Sequence, residues 1–107
     1  MSQSLASTLT VSFVVKLTAK PDTAEEVAAF LAGALPLAED EPGTVVWYAL
    51  RTDPTTFWIV DAFASEDARQ AHIDGPIAAA LAANAGRLLA AAPEILPADV
   101  LAAKPPA

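Results

Sequence analysis

The chain reads as an α+β domain of the ferredoxin-like, split βαβ type, an antiparallel sheet with helices on one face. Three observations carry that reading. Runs at 9–18, 44–51 and 56–64 alternate with the period of two that marks strands, and a tight turn joins the last two. The stretches between the strands follow helical spacing, giving the order β-α-β-β-α(α)-β. Finally, the paired strands are apolar on both faces. Helices can cover only one of these, so the other must close against a second sheet, which points to a homodimer enclosing a cavity.

Composition narrows the function classes. With 107 residues the chain is a single domain, expected to comprise a flexible N-terminal arm at 1–8, a folded body at 9–103 and a tail at 104–107. A hydrophobic content of 54% and a mean hydropathy of +0.41 again favour an assembly that hides apolar surface. The formal net charge is −7 and the six Lys and Arg residues are scattered, so the footprint of a nucleic-acid binder is missing. The absence of cysteine removes disulfides and thiolate chemistry, and one histidine cannot build a multi-histidine metal site. No membrane contact is expected either: the apolar tract from Pro76 to Ala92 is interrupted by Asn84 and Arg87. The N-terminus lacks the basic flank of a signal peptide, so the expected location is the cytoplasm.

The first strand, Leu9 to Thr18, sets Leu9, Val11, Phe13, Val15 and Leu17 on one face. Lys20-Pro21-Asp22 breaks it, and Thr23 with Glu26 forms a capping-box pattern ahead of Val27, Phe30, Leu31 and Ala34 at helical spacing. Pro36 ends or kinks that helix, and Glu39-Asp40-Glu41 leads into a Pro42-Gly43 turn. In the hairpin, Val46, Tyr48 and Leu50 share one face, and Val45, Trp47, Ala49 and Arg51 the other. The turn is Thr52-Asp53-Pro54-Thr55. On the returning strand Phe57, Ile59, Asp61 and Phe63 alternate with Trp58, Val60 and Ala62. Ser65 is a helix N-cap backed by Glu66 and Asp67, and the short helix it starts carries His72. Pro76 then opens a second helix with Ile77, Leu81, Asn84, Ala85 and Leu88 on its inner stripe. Glu94 to Ala103 is the last strand, with Pro97 marking an edge.

The residues Pro42-Gly43-Thr44, Tyr48-Ala49-Leu50-Arg51, Asp53-Pro54, Phe57, Asp61, Phe63, Ser65-Glu66-Asp67-Ala68 and Ala71-His72 resemble the antibiotic biosynthesis monooxygenase (ABM) family. That resemblance implies a dimeric α+β barrel. For members that oxidise aromatic polyketides it implies chemistry without metal or flavin: a phenol or anthrone loses a proton and its anion reacts with dioxygen. Two positions depart from the family pattern, since Asp61 stands where glutamate is common and Phe63 where tryptophan is common. The haem-degrading branch carries its iron-ligating histidine at a position that aligns with Ala82, and alanine cannot bind iron.

Candidate site residues each carry two readings. His72 can exchange protons near neutral pH, or can be a hydrogen-bonded structural histidine at a helix end. Asp61, mid-strand among apolar neighbours, must be paired if buried. It can orient His72, act as base, or bridge to Arg51. Arg51 is an anion holder for a phenolate or a solvated hairpin residue. Trp47 and Trp58 share outward parity within their own strands; if that face looks into the barrel they wall a flat ligand site with Tyr48 on the helix side, and if it looks to the helices Tyr48 and Phe63 line the cavity. Asn84 is a donor into the cavity or part of a subunit seam. The leading functional expectation is a cofactor-independent monooxygenase acting on a small aromatic or polyketide-like phenol or quinol, with dioxygen as co-substrate. The alternatives are a cofactor-free isomerase or cyclase using the same His72 and Asp61, and a non-catalytic dimer that binds a small hydrophobic molecule.

Overall fold

The structure, a computed structural model, describes residues 9–104. The arm expected at 1–8 and the tail beyond Lys104 lie outside the described residues. Four strands form one antiparallel sheet, β1 (Val11–Thr18), β2 (Thr44–Asp53), β3 (Thr56–Phe63) and β4 (Glu94–Asp99), in the spatial order β2-β3-β1-β4. The helices are α1 (Ala24–Gly33), α2 (Leu35–Glu39), α3 (Glu66–Ile73) and α4 (Pro76–Leu88), and a single 3₁₀ turn at Pro21–Thr23 precedes α1. This is the ferredoxin-like α+β arrangement that the element order predicts. Among the described residues no helix is long and apolar enough to cross a membrane.

The two sheet faces differ sharply. Leu17, Phe57, Ile59 and Val15 pack under Val27 and Leu31 of α1 and Leu81 and Leu88 of α4, making the main core. A smaller cluster of Ala34, Ala38 and Ile77 fills the corner where α2 meets α4, and the Trp47 ring packs on both clusters. On the opposite face Tyr48, Leu50 and Leu96 are exposed.

Several local expectations change. The capping box does not form: Thr23 Oγ1 donates instead to the carbonyls of Leu88 (2.6 Å) and Lys20, tying the turn before α1 to the end of α4. The helix before Pro36 does end, at Gly33, and Pro36 itself sits in the first turn of the new helix α2, where its missing N–H costs nothing. The last strand stops at Asp99 rather than running to Ala103, but it is the edge strand that Pro97 implied. Ser65 does cap α3, its hydroxyl accepting from Ala68 N at 3.1 Å.

Candidate functional site

A cavity of about 250 Å³ lies between the helix-covered sheet face and helices α3 and α4. Phe13, Ile59, Ile77, Leu81 and Ile95 make its walls apolar, while His72 and Asp61 supply its polar end. Such a composition suits a small hydrophobic ligand oriented by a few polar groups.

The local fold explains why a carboxylate survives in this wall. The β1–β3 ladder passes from Val11↔Phe63 to Val14↔Val60, and Asp61 occupies the gap. There Phe13 N–H donates to Asp61 Oδ1 at 2.8 Å, and the Ser12 hydroxyl donates to the Asp61 carbonyl at 2.5 Å. One carboxylate oxygen is thus held by backbone. The other, Oδ2, has no hydrogen bond and stands 3.3 Å from Nε2 of His72.

The far edge of the imidazole meets a residue that periodicity did not single out. Glu41 Oε1 lies 2.5 Å from Nδ1 of His72 and also accepts from the Thr44 hydroxyl at 2.6 Å. The three side chains therefore form a line, Glu41–His72–Asp61. Two close approaches hold it together. A Cβ on Gly43 would meet Ala68 of α3 at 2.8 Å, and a Cβ on Gly75 would lie 3.2 Å from Glu41 Oε2. Both glycines let the turn before β2 press against α3. Phe63, fully buried, packs against the imidazole with ring centroids 5.2 Å apart and meets Phe13 edge-on.

Burial is the largest single influence on His72 and pushes its pKa down. The close contacts of the Asp61 and Glu41 carboxylates with the ring together outweigh it, so the net shift is upward from the ordinary value of 6.5. Glu41 and Asp61 approach opposite edges of the ring, and among the described residues no three metal-ligating groups converge on one point.

The remaining candidates are dispersed. The register pairs Trp47 with Asp61 and Leu50 with Trp58, which puts Trp47 on the helix-covered face and Trp58 on the open one. The two indoles do not share a wall. Trp47 Nε1 is buried without a partner, whereas Trp58 Nε1 donates to Thr52 Oγ1 at 3.0 Å with the Lys16 ammonium over its ring. Tyr48 is exposed on the open face. Arg51 does not reach Asp61; it pairs with Glu25 at 2.7 Å at the hairpin end and lies over the Phe57 ring. Asn84 turns back onto its own helix, donating to Ala80 O and accepting from Arg87. Of the residues singled out in the sequence, the cavity end thus brings together His72 and Asp61, with Phe63 behind the imidazole. Glu41 was visible only as the end of an acidic run before Pro-Gly, since the His72 contact spans 31 residues.

The architecture defines a class: a small ferredoxin-like α+β domain that buries an acid–imidazole–acid line beside an apolar cavity. Comparison with known proteins narrows it. The antibiotic biosynthesis monooxygenase profile matches residues 10–93, and the chain belongs to that family. A protein of unknown function from Nitrosomonas europaea is similar at 51% identity, with a TM-score of 0.91 over 94% of this chain and 97% of that one. Rv0793 from Mycobacterium tuberculosis shares the fold at 18% identity, with a TM-score of 0.78 over 86% and 95% of the two chains. PA3566 from Pseudomonas aeruginosa does so at 18% identity and a TM-score of 0.74 over 87% and 95%. No curated protein matches the chain.

Proposed function

We propose that the protein is a cofactor-independent monooxygenase that oxidises a small phenol or quinol with dioxygen, using His72 and Asp61 to take the substrate proton. The observation that carries this reading is the buried Glu41–His72–Asp61 line ending at an apolar cavity. Family membership adds to it.

In this reading the substrate hydroxyl points at the Nε2–Oδ2 pair, and its proton passes there. The electron-rich phenolate then reacts with dioxygen at a ring carbon. Loss of water leaves a quinone: a C–H bond and the O–O bond break, a C=O bond and water form. All the electrons come from the substrate, so neither metal nor flavin is needed. The apolar walls keep competing water away from the anion. A cavity of about 250 Å³ falls below the range for drug-sized ligands, about 300–1,000 Å³, which favours one or two rings over larger polycycles. A homodimer belongs to the same proposal, with the exposed Tyr48, Leu50 and Leu96 covered by a second copy.

Oxygen-electrode measurements with hydroquinones, naphthols and anthrones test this. Dioxygen uptake matched to quinone formation is expected, fastest with the one- and two-ring compounds. His72→Ala, with circular dichroism and mass unchanged, should lose about 10²-fold or more in turnover. If no compound supports enzyme-dependent uptake, the monooxygenase reading is dropped. Product formed without uptake would assign the same residues to an isomerase or cyclase. Equal activity in His72→Ala would remove that residue from the chemistry.

A further inference from the structure

We propose that Glu41 is the outer station of a proton relay, receiving through Nδ1 of His72 the proton that the inner Nε2–Oδ2 pair takes from the substrate; this rests on the monooxygenase reading above.

The geometry has two sides. The apolar cavity touches His72 and Asp61 but not Glu41. A second cleft, of about 200 Å³, lies on the opposite side of the imidazole and is lined by Glu41, His72, Asp40, Gly43 and Ala71. Asp40 and Ala71 on its rim are exposed. Side-chain exposure falls from 17% at Glu41 through 7% at His72 to 1% at Asp61, so the line runs from near solvent to the interior. Asp61 is held by β1 and Phe63 lies against the imidazole, so the ring is what joins the carboxylate at the cavity to the outer cleft. The relay runs outward through the ring.

The balance is simple. One proton enters at Nε2 and the Nδ1 proton moves to Glu41 Oε1, which faces the outer cleft; a proton returns along the same line when the peroxide formed with dioxygen loses water, so none is released overall. The anionic product of the first step stays in the cavity beside an imidazole that is again neutral. Glu41 Oε2, buried and without a hydrogen bond, leaves the carboxylate a second site for the incoming proton.

Exposed Asp40 adds a second carboxylate on the outer-cleft side, and among the described residues the other elements against the ring bring no further charge. Glu41 faces it from the loop before β2 and Asp61 from β3. On α3 itself Arg69 is committed to Glu66 and to the carbonyls of Ser12 and Ala98. The cavity walls that β1 and α4 contribute are Phe13, Val15, Ile77, Ala78 and Leu81, all apolar.

Because His72 is the only histidine, its imidazole nitrogens can be followed by NMR without ambiguity. In Glu41→Gln the amide oxygen can still accept from Nδ1–H but the side chain cannot carry a proton. The expected result is a His72 titration midpoint lowered by about one pH unit, with the Nδ1–H tautomer retained. Turnover should fall about 10-fold or more at unchanged KM and recover with added imidazole or formate buffer. Thr44→Val, which strips a hydrogen bond from the Glu41 carboxylate, should move the midpoint the other way. It serves also if Glu41→Gln does not fold. An unchanged midpoint in both variants, or wild-type turnover in a folded Glu41→Gln, overturns the relay. The NMR measurement needs no substrate. A protein that consumes no dioxygen would thus lose the monooxygenase reading, while the Glu41–His72 coupling would still be decided.

Discussion

The two faces of the sheet are built from the same strands, yet they solve opposite problems. The covered face buries Phe57, Ile59, Leu17 and Phe63 under helices and admits one ionisable pair, Asp61 with His72. That pair is tolerated because backbone and Glu41 satisfy it. Among the described residues the open face holds no comparable buried charge, and its large apolar side chains Tyr48, Leu50 and Leu96 stay exposed. On the function proposed above, the difference would separate labour: chemistry needs a dry, fixed polar group, whereas association needs accessible apolar area.

The strongest test removes a support from the covered face. Phe63→Ala deletes a fully buried ring that packs against His72, and should cost about 3–5 kcal/mol of unfolding free energy. Urea titration of the purified variant reads this directly. On the open face Tyr48→Ala should leave monomer stability within about 0.5 kcal/mol. Comparable losses at both positions would erase the distinction between the faces.

The converse experiment puts a charge on the open face. Leu50→Glu should leave the fold intact by circular dichroism while the mass in analytical ultracentrifugation falls from dimer to monomer, since like charges would oppose each other in an apolar seam. A wild-type protein that is monomeric at all concentrations would show that this face has another purpose.

Acidity sharpens the contrast further. His72 has a folded pKa above its ordinary 6.5, so the native state holds that proton more tightly than the unfolded chain does. Its contribution is fully present below the unfolded value, near 6.5, and is lost as pH rises through the higher folded one. Denaturation midpoints should therefore decline across that window in the wild type. The decline should flatten in His72→Gln and persist in Tyr48→Ala.

How far the sequence reveals this division depends on what kind of contact is involved. Alternation within a strand exposed the first three strands, and a mid-strand carboxylate flagged Asp61, because both are properties of a local window. Trp47 and Trp58 show the limit: parity within each strand is local, but the register between them follows from hairpin geometry, with shifts at Thr44/Val46 and Arg51/Asp53. The capping signal at Thr23 was likewise displaced by a carbonyl 65 residues away. Glu41 lay hidden for the same reason, as its partner arrives only once α3 docks against the Pro42-Gly43 turn. Long-range polar contacts leave no periodic trace.

The smallest expected effect concerns Arg51, the candidate that the fold takes away from the cavity. Its guanidinium joins Glu25 at 2.7 Å, and the two charges strengthen each other's ionised form. Both groups nevertheless sit in solvent at the hairpin end, where hydration competes and salt screens the pair. Arg51→Met keeps an aliphatic stem over the Phe57 ring while removing the charge, so stability should not change measurably at physiological salt. Turnover should be unchanged as well, because Arg51 does not line the cavity and makes no polar contact with His72 or Asp61. A loss of activity in this variant with stability intact would restore Arg51 to the site. It would also mean that the hairpin end, and with it the boundary between the two faces, closes over bound substrate.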